Sequence, residues 1–253
     1  MNNPLLLPPE VNVLVTALFA GVVLRQYLAR HRVYQLYWAL ALGMAFLATL
    51  AYILMIALGP TSASGIIYFR LYYTLGGALM PAWLGLGSVA LVSAKQVTRL
   101  LFIGLSIASL LAAWLVFTAT IDMQKLGAIA GTPGTGTLQP GAWLAAVIIL
   151  NTLGVIAVVG VAIYSGIKLL RRQSSMGGLR TSNILWANML ILVGDIINAT
   201  AGTLARVLGV QNTFWLIMAL GWIVLFAGVL LASRRSSVAK HIEQSETTQP
   251  ARG

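Results

Sequence analysis

The segment ILVGDIINAT, residues 191–200, sets a carboxylate, Asp195, inside a long apolar stretch. A carboxylate in such surroundings finds a partner, stays protonated or meets water. Asn188, Asp195 and Asn198 are spaced seven and three residues apart, which predicts one shared face of a helix. Gly194 and Gly202 flank that face, and small residues there let a neighbouring helix come close. Another apolar stretch brings Asn151 to a similar depth. A third brings Arg70, followed along one face by Tyr73, Gly77 and Pro81. Pro81 carries no N–H, so it frees a backbone carbonyl in its own helix. Trp83, Trp186 and Trp222 lie deeper than the other aromatic residues, where they pack helices or line a pocket.

Two kinds of chemistry fit this set. Asp195, Asn198, Asn151, Asn188, Arg70, Tyr73, Trp83 and Trp222 are candidates to bind the polar group of a ligand or to relay a proton. The alternative is that Asp195 hydrogen-bonds Asn151 or a carbonyl and locks helices together. Arg70 has a similar pair of readings, an anchor reaching out to the interface or a guanidinium turned inward toward the carboxylate.

Little else in the chain offers reactive groups. There is no cysteine, and the two histidines, His31 and His241, lie outside the apolar stretches. No HExxH and no clustered carboxylates occur, so no metal, no cofactor and no catalytic residue is expected. The stretch GTPGTGT, residues 131–137, imitates a phosphate-binding loop. That loop needs Lys and then Ser or Thr after its last glycine, and here Thr137 and Leu138 follow. It reads as a flexible connector. Asn198-Ala199-Thr200 matches a glycosylation sequon but falls at membrane depth. A retinal-binding seven-helix protein needs a lysine in its seventh span, and FWLIMALGWIVLFAGVLLAS has none.

The elements that position these residues follow from composition. The chain has 253 residues, 59% hydrophobic and 8% charged. Soluble domains carry about 25% charged residues, so this composition predicts a polytopic membrane protein. Seven apolar stretches can cross a bilayer at about 20 residues each: 11–28, 34–58, 66–94, 100–120, 142–170, 182–208 and 213–232. The expected fold is an all-α seven-helix bundle over 1–233, with a disordered polar tail over 234–253.

The net charge of +11 is distributed as topology, not as a nucleic-acid surface. Of the 16 basic residues, only Lys125 lies in a loop on one side, while Arg70 and Arg206 lie within span ends. The others cluster at the opposite ends, around Arg30–Arg32, Lys95–Arg99, Lys168–Arg180 and beyond Arg234. The positive-inside rule then predicts an outer N-terminus and a cytoplasmic C-terminus. Residues 1–10, MNNPLLLPPE, have no basic region and no small-residue cleavage site, so the first span does not read as a removable signal. The expected location is a bacterial or archaeal plasma membrane.

Three functions from different classes remain. The first is a non-enzymatic sensor or receptor-like module that binds a lipid or small amphiphile at mid-membrane. The tail is too short for an effector domain, so it would act through a separate membrane protein partner. The second is a small-solute or proton-coupled transporter, since spans one to three and five to seven share a weak three-plus-one-plus-three pattern. Pro81 has no counterpart in span seven, which counts against it. The third is a structural or accessory membrane subunit. Membrane lipids are expected neighbours in every case, and nucleic acid is not an expected partner.

Overall fold

The computed structural model describes residues 4–173, 182–211 and 213–247. Among them, seven helices are long and apolar enough to cross a membrane, and each falls on one of the seven expected spans. The chain is a polytopic, all-helical membrane protein. After a short turn at Pro4–Leu6, α1 (Leu7–Arg30) begins on Pro8-Pro9, whose missing N–H groups cost nothing in a first turn. His31, at φ 50, ends α1 in the left-handed region, and α2 (Val33–Leu58) follows almost at once. Gly59, at φ 89, ends α2, and the Ser62 hydroxyl accepts from the Gly65 N–H to start the next helix.

The third span is not one regular helix. It consists of α3 (Ala63–Tyr72), a π-helical segment (Tyr73–Leu79) and α4 (Met80–Val92). The widened turns fall on Gly76 and Gly77 and end just before Pro81, where α-helical bonding is weakest. Then come α5 (Lys95–Thr118), a short α6 (Met123–Gly127) within the long loop, α7 (Ala142–Gln173), α8 (Ser182–Val207) and α9 (Phe214–Thr247). Helix α9 passes the expected boundary at 233 and continues to Thr247, through a stretch that holds no glycine or proline. Residues 248–253 of the expected tail lie outside the described residues.

Six spans close a ring in the order α1, α2, α3/α4, α7, α8, α9 and back to α1, while α5 packs outside it against α4, the π-segment and α7. Two seams of the ring are set by close backbone approach. A Cβ on Gly154 would run into the Pro81 carbonyl, so α7 lies directly against α4. A Cβ on Gly194 would meet the Leu225 N–H and the Gly221 carbonyl, so α8 lies directly against α9.

The long loop over 119–141 differs from the expected flexible connector. Leu126, Ile129, Thr137 and Leu138 are buried in it, and Ile121 bridges to Leu138. Three aromatic residues from distant spans tie it down. The Tyr52 hydroxyl donates to the Ile129 carbonyl at 3.1 Å and accepts from the Gly131 N–H at 2.9 Å. The Tyr72 hydroxyl donates to the Pro133 carbonyl at 3.1 Å, and the Trp215 indole donates to the Thr132 carbonyl at 3.4 Å. These rings pack on one another, Tyr52 to Trp215 at 4.5 Å and Tyr52 to Tyr72 at 5.3 Å between centroids. The loop therefore caps one end of the ring, called here the loop end. The basic residues mark the other, the basic end.

Candidate functional site

A cavity of about 560 Å³ opens under the cap, bounded by the π-segment, α4, α7, α8 and α9. That volume lies in the range of sites for drug-sized ligands. Asp195, Asn198, Asn151, Tyr73 and Trp222 all line it, so the structure gathers five of the eight candidate residues in one place.

The deep wall is polar. Asp195 is 7% exposed. Its Oδ2 has no hydrogen-bond partner among the described residues, and neither do Oδ1 of Asn151 and Oδ1 of Asn198. Leaving such a group unpaired costs about 1–3 kcal/mol. The Asn151 amide donates through Nδ2 to the Gly77 carbonyl at 2.9 Å. In a regular α-helix this carbonyl would take the N–H of residue 81, four positions on, which Pro81 does not have. Asn151 therefore repairs the broken third span and holds its own oxygen at the cavity wall. Asn198 is placed differently: its Oδ1 rests on Gly221, in the α8–α9 seam.

The loop-end wall carries a cation. Arg206 lines the cavity and donates through Nη2 to the Tyr73 hydroxyl at 3.1 Å. The Tyr73 ring is held edge-on to Trp143, with centroids 5.4 Å apart. No carboxylate pairs with Arg206 among the described residues, where the one ion pair is Lys125 with Asp122 at 3.7 Å. Pro133 and Thr135 of the cap close this end.

The cavity opens sideways. Every exposed residue that lines it belongs to α7 or α8: Ile148, Thr152, Ile156, Gly202, Thr203 and Val207. Those two helices form its lips, and beyond them lies the surface that faces lipid.

Three candidates lie elsewhere. Arg70 donates to the carbonyls of Val116 at 2.7 Å and Ala119 at 3.1 Å. These are carbonyls at the C-terminus of α5, so Arg70 supplies donors and positive charge where the helix lacks both. Trp83 donates to the Ser109 hydroxyl at 3.0 Å and packs against Tyr37 and Phe102, joining α4 to α5. Asn188 is half-buried on α8 and does not line the cavity. Trp186, the third deep tryptophan, is 59% exposed on the outside of the bundle.

Arg206 joins the site although it is not among the residues the sequence singles out. Its spacing from Asp195 was the available clue: eleven residues is close to three full turns, so both fall on one face. No family model, no curated protein and no solved structure matches the chain. Its function must be argued from this geometry.

Proposed function

We propose that this membrane protein binds an amphiphile drawn from the bilayer, as a non-enzymatic sensor or receptor-like module that acts through a partner protein. One observation carries the reading: a laterally open cavity whose wall holds a buried carboxylate with its Oδ2 unpartnered among the described residues. A molecule already dissolved in lipid reaches such a site between α7 and α8 without crossing water. A buried polar wall favours a ligand that brings its own polar groups over a plain hydrocarbon tail.

Native mass spectrometry of gently extracted protein tests this. A Cβ on Gly202 meets nothing nearby, so Gly202→Phe fills the mouth without disturbing a seam. The expected result is a discrete bound mass on the parent protein that is lost in the Gly202→Phe variant. A bare parent protein, or a bound mass indifferent to the variant, would contradict the reading.

A transporter is the second reading, favoured by the π-segment and Pro81, which interrupt a span beside the cavity. Against it, α9 runs through the corresponding position of the other triplet without a break. For orientation, we propose that the loop end faces outward in a bacterial or archaeal plasma membrane, from the distribution of basic residues. With no native cysteine, Thr61→Cys should label from outside intact cells and Gln96→Cys should not; the reverse pattern would invert the orientation.

A further inference from the structure

The two polar ends of the cavity ask for opposite chemistry. At the loop end, Arg206 offers guanidinium donors and a positive charge that no carboxylate among the described residues neutralises. Its fork suits a carboxylate oxygen pair. A phosphate monoester, with a charge near −2, would exceed what this one cation offsets. At the deep end the need is reversed. The Asn151 amide already donates to Gly77, which leaves an oxygen that can only accept, in the same cavity as the unpartnered Oδ2 of Asp195. A ligand satisfies these by donating.

Spacing links the two ends. Asp195 and Arg206 lie on one face of α8, about 16 Å apart along the axis at ~1.5 Å per residue. The wall between them is largely apolar, made by Ala199 and Gly202 of α8, Ile148 and Val155 of α7, and Met218 of α9, with Asn198, Thr203 and Thr152 as its polar points. We propose that the ligand is a two-ended, single-chain amphiphile. Its carboxylate sits on Arg206, its chain lies along the apolar wall, and a hydroxyl or amine at its far end donates to Asp195 and Asn151. This rests on the cavity being an amphiphile site, as proposed above.

The test uses three probes of equal chain length on the full-length protein in neutral detergent: a medium-chain ω-hydroxy fatty acid, the plain fatty acid and the plain alkanol. Trp222 in the cavity wall supplies a fluorescence readout. An ω-amino acid run alongside tells hydroxyl from amine at the deep end. On the unmodified protein the ω-substituted acid should bind best, the plain acid next and the alkanol least, with steps of about tenfold, as expected for charge-assisted hydrogen bonds. Arg206→Gln should bring both acids to the level of the alkanol, while Arg206→Lys keeps part of the gain. Asp195→Leu should erase the advantage of the ω-substituent and leave the plain acid unchanged. If the three probes bind the parent equally, the cavity takes amphiphiles but the two-ended class is wrong. If none binds, the amphiphile reading itself falls. The parent ranking needs no variant, so the proposal stays testable should Arg206→Gln fail to fold.

Discussion

The centre of the ring is built in two ways. In its basic-end half, Phe19, Leu42, Leu84, Val158, Ile191 and Leu225, one from each of the six ring spans, converge on a gap of about 20 Å³. In its loop-end half the π-segment, α4, α7, α8 and α9 leave about 560 Å³. Backbones touch at the α4–α7 and α8–α9 seams, so helix spacing along those two seams does not account for the difference. Side chains do. Where α8 presents Ile191 to the closed half, it presents Ala199 and Gly202 to the open one. The third span contributes Leu84 below and the Gly76-Gly77 widening above. A void lined by unpaired oxygens is a costly way to build a bundle if holding helices together is its only task.

This contrast can be broken from either side. The largest effect is expected in the closed half: Leu42→Ala should cost about 2–5 kcal/mol, as for other core truncations. The matched change at the cavity wall, Val155→Ala, should cost well under ~1 kcal/mol, because it enlarges a space that already exists. Equal losses in reversible unfolding of the two variants would erase the distinction between the halves.

The next test separates the two loop-end arginines. Arg70→Met removes two charge-assisted hydrogen bonds from the end of α5 and should cost about 1.5–3 kcal/mol of stability, with ligand capture unchanged. Arg206→Gln should do the opposite, weakening capture with little loss of stability. Thermal melts with and without bound amphiphile distinguish them, and interchangeable behaviour would contradict the assignment.

Asp195→Leu sharpens the point further. A carboxylate that locks helices would be missed, whereas an unpartnered one burdens the empty protein. The variant should gain about 1–3 kcal/mol of stability while losing ligand discrimination. A clear loss of stability would favour the helix-locking role. Among the changes that act on binding, the smallest effect is expected for Tyr73→Phe, which removes one hydrogen bond from Arg206, worth about 1.5 kcal/mol. It should be read as a modest weakening of carboxylate binding, and no change at all would show that Arg206 is held without it.

Much of the bundle was legible in the sequence because its grammar is local. Seven apolar runs specify seven helices, and the three-residue spacing put Asp195 and Asn198 on a common face, while Asn188, seven residues before Asp195, does not reach the cavity. Asn151 was legible by depth, and the carbonyl freed by Pro81 could be anticipated, though not that Asn151 would answer it. The identity of the cavity's arginine was not legible. Arg70 and Arg206 occupy similar positions near span ends. The choice between them depends on which neighbour each meets, the end of α5 or the Tyr73 hydroxyl. The cap was hidden for the same reason. A Gly/Thr/Pro-rich loop looks loose until Tyr52, Tyr72 and Trp215, from three separate spans, arrive beneath it. The π-segment leaves only a trace in sequence, two glycines and a proline, and that trace does not specify how the turns widen.

The central claim is that an amphiphile enters the loop-end half between α7 and α8. Photo-crosslinking with a diazirine-bearing fatty acid, followed by peptide mapping, tests it most directly. The account predicts label concentrated at the cavity lips, on Ile148, Thr152 and Thr203, and competed away by excess unlabelled fatty acid. On α5, Leu110 and Trp114 are exposed but do not line this cavity, so label there should be weak and not competed. Equal labelling of α5 and the lips, unaffected by competitor, would mean that the bilayer wets the cavity without the protein selecting anything from it.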